Sequence, residues 1–253
     1  RAALAGRPDG PVFEALHRVT TRHEIPDRHP LELIEGFRMD VDRVPFSTLN
    51  DTLTYSYHVA GVVGVMMAMV MGAREQSTLN RASDLGIAFQ LTNISRDVIG
   101  DAEVGRCYLP ADWLREAGVA PSDVAKPENR AAVFAVTERL LDVADDYYAS
   151  ARFGIAKLPL RAAWAIAAAR NVYRDIGSVI RARGPAAWDS RAVVSKQRKF
   201  RGVAGGGLDV LAQRIMQPSN PDALSREGLW TAPALGDATE LPAGDLTPAP
   251  SLT

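Results

Sequence analysis

Apolar residues recur at three- and four-residue steps along most of the chain, and nowhere do they alternate with polar ones over a β-branched run. That spacing favours helices over a sheet. Side chains three and four apart share one helix face, whereas a half-buried strand needs a period of two. The expected fold class is therefore all-α. Helices are predicted over 11–24, opened by Pro11 with Phe13, Leu16 and Val19 on one face, and from about Pro30, with Leu31, Ile34 and Phe37. A third starts at Ser47 or Thr48, where Thr48-x-x-Asp51 has the form of a capping box, and runs to about Gly72; a fourth spans 78–99. Pro110 opens a short helix that Gly118 closes. Two long helices follow, over 128–153 (Val133, Val136, Leu140, Tyr147) and 160–183 (Trp164, Ala168, Val172, Val179). A last helix over 192–216 is weakened by Gly202 and the Gly205-Gly206-Gly207 triplet, since each glycine costs about 1 kcal/mol in a helix interior. Residues 217–253 change character: six of the sixteen prolines and five acidic residues, with little apolar periodicity, predict a flexible tail behind a 1–216 domain.

Charge and special residues narrow the function. With 29 basic and 30 acidic residues the net charge is −1, which supplies no basic face for nucleic acid. The single cysteine, Cys107, excludes a disulfide framework and a Cys-rich zinc site, and the four histidines lack metal-ligand spacing. The most apolar stretch, Val59–Met71, is 13 residues long. As a helix it measures about 20 Å, short of the roughly 30 Å hydrocarbon core, so it is predicted to be a buried core helix. The four tryptophans and the clustered arginines suit at most peripheral contact with a bilayer.

Chemistry concentrates between Asp84 and Pro110, DLGIAFQLTNISRDVIGDAEVGRCYLP. On a helix, Ile87, Leu91, Ile94 and Val98 form an apolar face. Gln90, Asn93, Asp97 and Asp101 form a second stripe about 60° round the axis. Asp97 and Asp101 stand about 6 Å apart at i and i+4 and repel unless a cation lies between them. Two aspartates so spaced are ordinarily a solvated face. The amides beside them and Arg96, inside an otherwise apolar segment, add weight to an oxygen-ligated Mg²⁺ with a diphosphate within reach of the guanidinium, but spacing alone leaves a solvated face the commoner outcome.

Read whole, this stretch resembles the second Asp-rich signature of the squalene/phytoene synthase family, N-I-x-R-D-x-x-x-D followed by G-R-x-Y-L-P. Here these are Asn93-Ile94-Ser95-Arg96-Asp97-Val98-Ile99-Gly100-Asp101 and Gly105-Arg106-Cys107-Tyr108-Leu109-Pro110. Leu33 to Asp40, LIEGFRMD, is similar to the family's I-E-G-M-x-x-D segment, and Tyr55 to Gly64, YSYHVAGVVG, to its Y-C-x-x-V-A-G-x-V-G helix. Pro159 to Ile176, PLRAAWAIAAARNVYRDI, resembles a later segment of bacterial phytoene synthases. The resemblance covers about residues 11–200.

It implies an isoprenoid synthase fold, a helical bundle around a central cavity, with Mg²⁺ (Mn²⁺ as the alternative) on the substrate diphosphate. Carried over, Asn93, Asp97 and Asp101 would hold metal, and Gln90 and Arg96 the substrate head group. Tyr55 would handle protons and stabilise cations, and Tyr173 and Arg174 would lie near the diphosphate end. Lys196 and Lys199 match positions that are often basic. Tyr55, Val59 and Val63, at i, i+4 and i+8, would form a cavity wall with a polar tip, while Ala60, Gly61 and Gly64 leave room for prenyl chains or for close helix contact. The family's first Asp-rich motif is absent from these residues. Asp40 and Asp42, at i and i+2, point roughly 200° apart on a helix and cannot share a cation. The sequence is therefore expected to lack the family's N-terminal helices and to hold half of the metal site. The expected activity is head-to-head condensation of two geranylgeranyl diphosphates to prephytoene diphosphate and then phytoene. The alternatives are a farnesyl diphosphate-using dehydrosqualene or presqualene diphosphate synthase, and a non-catalytic scaffold. The expected location is cytoplasmic with loose membrane association, because the product is lipid-soluble.

Overall fold

Nine α-helices joined by short turns account for most of the residues that the computed structural model of the chain describes: 1–190, 195–215 and 226–232. Among them there is no strand. Helix α1 (Pro11–Arg22) carries proline in its first turn and α2 (Arg28–Val41) follows. The Thr48–Asp51 capping box starts α3 (Leu49–Ser56), with the Thr48 N–H donating to Asp51 Oδ2 at 2.9 Å. A π turn (Tyr57–Gly61) joins α3 to α4 (Val62–Val70) without breaking the helical run. Then come α5 (Gln76–Glu103), the short α6 (Ala111–Glu116), α7 (Arg130–Ile155), α8 (Leu160–Arg183) and α9 (Lys196–Ile215). The run Leu49–Val70 reaches 22 residues, long and apolar enough to cross a membrane, and half of its most apolar window is buried inside the structure. It is longer than the 13 apolar residues counted in the sequence because the mixed segment before them is helical too.

Helix α5 is the central element, packed mainly on α7 and on the α3–α4 run. Its predicted apolar face is fully inside, with Ile87 and Leu91 at 0% exposure. Polar residues on its buried sides are satisfied locally: Thr92 Oγ1 donates to the Ala88 carbonyl and Ser95 Oγ to that of Leu91. The α4–α5 crossing is made of backbone. A Cβ added at Gly64 would lie 2.3 Å from the Ala82 carbonyl oxygen, and one at Gly86 only 2.2 Å from that of Ala60. Close helix contact is thus the role of Gly64, although Ala60 and Gly64 also border a cavity. On α7 the predicted face holds, since Val133, Val136, Leu140 and Tyr147 are all buried.

Four expectations change. On α1, Phe13 and Val19 are 52% and 42% exposed, and on α2, Ile34 and Phe37 are 52% and 56% exposed. Helix α2 turns its Pro30–Gly36 side inward instead, where a Cβ on Gly36 would meet Val59 at 2.7 Å. On α8 the stripe Trp164, Ala168, Val172 does not enter the core. It meets α9, while Ala163, Ala167, Ile176 and Ile180 face inward. The glycines that weaken α9 as an isolated helix are what let it lie on α8: a Cβ at Gly206 would lie 2.8 Å from the Ala168 backbone nitrogen. Finally, of the stretch expected to be a flexible tail, 226–232 lies against the domain, with Leu229, Trp230 and Ala232 packed on the main core. The rest of 217–253 lies outside the described residues.

Candidate active site

Helix α5 carries the expected polar stripe, and the first two residues of that stripe reach an apolar cavity of about 360 Å³. Gln90 and Asn93 border that cavity, as do Val59, Val63, Phe89 and Tyr173. The rings of Phe89 and Tyr173 stack at 4.3 Å between centroids, which places aromatic faces beside the amides. Asn93 Oδ1 is buried and has no hydrogen-bond partner. A buried carbonyl oxygen left unpaired costs about 1–3 kcal/mol, so this oxygen suits a cation or a hydrogen-bond donor as partner.

One and two turns further on, Asp97 and Asp101 continue the stripe. Asp97 is gripped by its neighbour Arg96, Nε donating to Oδ1 at 2.9 Å and Nη2 to Oδ2. That bond lifts the guanidinium's pKa further. Arg96, expected to reach a diphosphate oxygen, is thus paired with a metal-ligand candidate. Burial first, and the charge of Asp97 second, push Asp101 up to about 6. Burial penalises the charged carboxylate, and the neighbouring Asp97 charge adds to that penalty. Among the described residues no group of three or more His, Cys, Asp or Glu forms a metal cluster. The oxygen-only set of Asn93, Asp97 and Asp101 fits Mg²⁺, which takes few protein ligands and fills its shell with water and phosphate oxygens.

Tyr55 does not share the wall with Val59 and Val63. The π turn between them has about 4.4 residues per turn rather than 3.6, so the register shifts. Tyr55 instead stacks on Tyr108 at 4.9 Å, and both hydroxyls donate to Asp40, at 3.0 Å and 2.7 Å. Burial, Tyr108 and the Asp40 carboxylate all drive the Tyr55 phenol far above its usual range. Arg106 adds a cation, its Nη1 at 3.4 Å from Tyr108 Oη and 4.0 Å from Asp40. Asp40 does not pair with Asp42 but accepts from both tyrosines. Its charge in fact also bears on Asp101, so the two ends of the site are electrostatically joined. The signal for this cluster was in the I-E-G-F-R-M-D and G-R-C-Y-L-P stretches, but nothing local shows that they meet.

Tyr173 borders the cavity as expected, whereas Arg174 does not. Its Nε donates to Asp145 Oδ1 at 2.8 Å on the α7–α8 surface, because adjacent residues on a helix point about 100° apart. The side chains of Lys196 and Lys199 lie outside the described residues.

The squalene/phytoene synthase family profile matches residues 1–198. The chain belongs to the squalene/phytoene synthase family. The family match spans α1 to the start of α9, hence the whole cavity and both polar clusters. The chain is 54% identical to a 15-cis-phytoene synthase of Paracoccus sp. (strain N81106 / MBIC 01143), over 92% of this chain and 74% of that protein. It is 46% identical to a 15-cis-phytoene synthase of Pantoea ananas over 92% and 74%. Among solved structures it resembles a dehydrosqualene synthase in complex with ligand, with a TM-score of 0.76 and 27% identity over 83% of this chain and 75% of that one. A squalene synthase from Alicyclobacillus acidocaldarius shares the fold at a TM-score of 0.61 and 21% identity, over 85% and 69%.

Proposed function

We propose that this chain is a phytoene synthase of carotenoid biosynthesis, a prenyltransferase joining two geranylgeranyl diphosphates head-to-head and releasing both diphosphates. The observation that carries the reading is the junction on α5. The amides of Gln90 and Asn93, with the Asn93 oxygen unpaired, border an apolar, aromatic cavity, and Asp97 and Asp101 follow them one and two turns along the same helix. Cleaving an allylic diphosphate calls for these two environments side by side: charge stabilisation for the leaving group and dry, polarisable walls for the cation. Phytoene synthases at 54% and 46% identity support the choice of substrate class.

Asn93, Asp97 and Asp101 would hold Mg²⁺, which neutralises charge on the departing diphosphate when bound. Gln90 orients the head group. Arg96, already desolvated beside Asp97, exchanges part of that contact for diphosphate oxygens. The Phe89–Tyr173 stack faces the developing cation, and Val59 and Val63 exclude water behind it. Tyr55 stays a neutral phenol near pH 7, so a proton released at that end is received by the Asp40 carboxylate, which the Tyr55 and Tyr108 hydroxyls orient by donating to it. The product is lipid-soluble, which favours a cytoplasmic enzyme in loose contact with the membrane.

The structural likeness to a dehydrosqualene synthase favours a second reading, condensation of farnesyl diphosphate, and its lower identity ranks it second. Mass spectrometry of products from the two substrates in competition with Mg²⁺ tests both: phytoene in excess is expected, and dehydrosqualene in excess reverses the order. Asp97→Ala is expected to abolish product while leaving the helical spectrum intact. Retained turnover in that variant would remove the metal role.

A further inference from the structure

Asp84, on α5, has no exposed surface. A carboxylate so placed is tolerated only with a cation and hydrogen bonds around it. Ser150 Oγ on α7 donates one bond. The guanidinium of Arg226 grips both oxygens, Nε at 2.9 Å from Oδ2 and Nη2 on Oδ1. The same guanidinium folds its own segment, Nη1 donating to Thr231 Oγ1 at 2.9 Å and Nη2 to the Trp230 carbonyl at 3.2 Å. Trp230 then reaches the domain twice. Its backbone N–H donates to Tyr147 Oη at 2.9 Å, and its ring lies 5.0 Å from that of Tyr57. Residues 226–232 thus form a strap across α5, α7 and the π turn.

Tyr57 opens the π turn that sends Tyr55 toward Asp40 and Val59 and Val63 toward the cavity. Such turns are uncommon and persist where their surroundings hold them. Here the Tyr57 hydroxyl is held by Glu32 at 2.7 Å and its ring by Trp230. We infer that the strap, locked by Arg226 on Asp84 and by Trp230 on Tyr57, positions the π turn and thereby seals the cavity wall against water. Arg226 and Trp230 are positioning residues, since neither borders the cavity. The chemical consequence rests on the proposed prenyl transfer. With a loosened wall, a water oxygen bonds to the allyl cation, one proton leaves to solvent, and a prenyl alcohol is released in place of the coupled hydrocarbon.

The test uses the full chain with Trp230→Ala, Arg226→Ala and the conservative Arg226→Lys, read by amide hydrogen exchange and by product analysis. Exchange over 57–63 is expected to quicken about tenfold in the two alanine variants, with residues 164–180 unchanged and partial rescue by lysine. Turnover is expected to show a lower kcat, a KM for the diphosphate within about twofold of the parent, and a several-fold larger share of prenyl alcohol. Unchanged exchange over 57–63 in Trp230→Ala overturns the inference, as does equal quickening everywhere. Faster exchange with an unchanged alcohol share overturns the sealing role. Should Arg226→Ala fail to fold, Trp230→Ala still decides. If the parent protein makes no hydrocarbon from any prenyl diphosphate, the proposed function fails while the exchange measurement still judges the strap.

Discussion

Asn93 is the residue where stability and chemistry oppose each other. Its unpaired, buried Oδ1 destabilises the metal-free protein, so Asn93→Leu is expected to raise the unfolding free energy by about 1 kcal/mol. The same change is expected to lower turnover by roughly 100-fold or more. Chemical denaturation and a product assay on one preparation check both signs. Asp101 gives a pH dependence. Its folded value of about 6 stands above the ordinary 3.8, so between these limits the folded state binds the proton more tightly than the unfolded state. The stabilisation from this group is complete below about pH 4 and lost as pH rises through about 6. Asp101→Asn is expected to flatten that part of the metal-free stability profile; an unaltered slope would assign it to another group. In the sequence, helical spacing set both residues on one stripe and the family resemblance implied their metal role. The sequence did not bring Asp40 together with Tyr55 and Tyr108, which lie 15 and 68 residues away.

Helices were legible from periodicity, and the errors lie in which face α1, α2 and α8 bury. Helix α9 shows the competition. Replacing Gly206 by alanine improves intrinsic helix propensity by about 1 kcal/mol. The new Cβ would, however, lie 2.8 Å from the Ala168 backbone nitrogen and 3.1 Å from the Ala167 carbonyl carbon. Such overpacking costs about 1–3 kcal/mol, so Gly206→Ala is expected to lower the thermal midpoint. Gly86→Ala, directed at the Ala60 carbonyl oxygen from 2.2 Å, is expected to lower it more. A calorimetric scan of the two variants beside the parent measures the order, and a rise for Gly206→Ala would mean that α9 packs more loosely than this. The π turn had no signature in residue spacing. Spacing predicts an ordinary helix there, and an ordinary helix would set Tyr55 on the same wall as Val63.

At the scale of the molecule, the bundle is held by α5 with its apolar face inside and its backbone-close crossing of α4, and none of that requires metal. Chelation with EDTA is therefore expected to abolish turnover without changing the helical circular dichroism, and parallel loss of both signals would make the ion structural. The all-α class, the helix order and the oxygen-rich face of α5 could be read along the chain because periodicity, caps and motifs depend on neighbours a few residues apart. The exposed sides of α1 and α2, the docking of α9 through glycines and the Asp40–Tyr55–Tyr108 cluster could not. Nor could the strap, where Arg226 meets Asp84 across 142 residues. These arise when elements remote in sequence compete for the same buried space, and that competition is settled by packing, which no local pattern records.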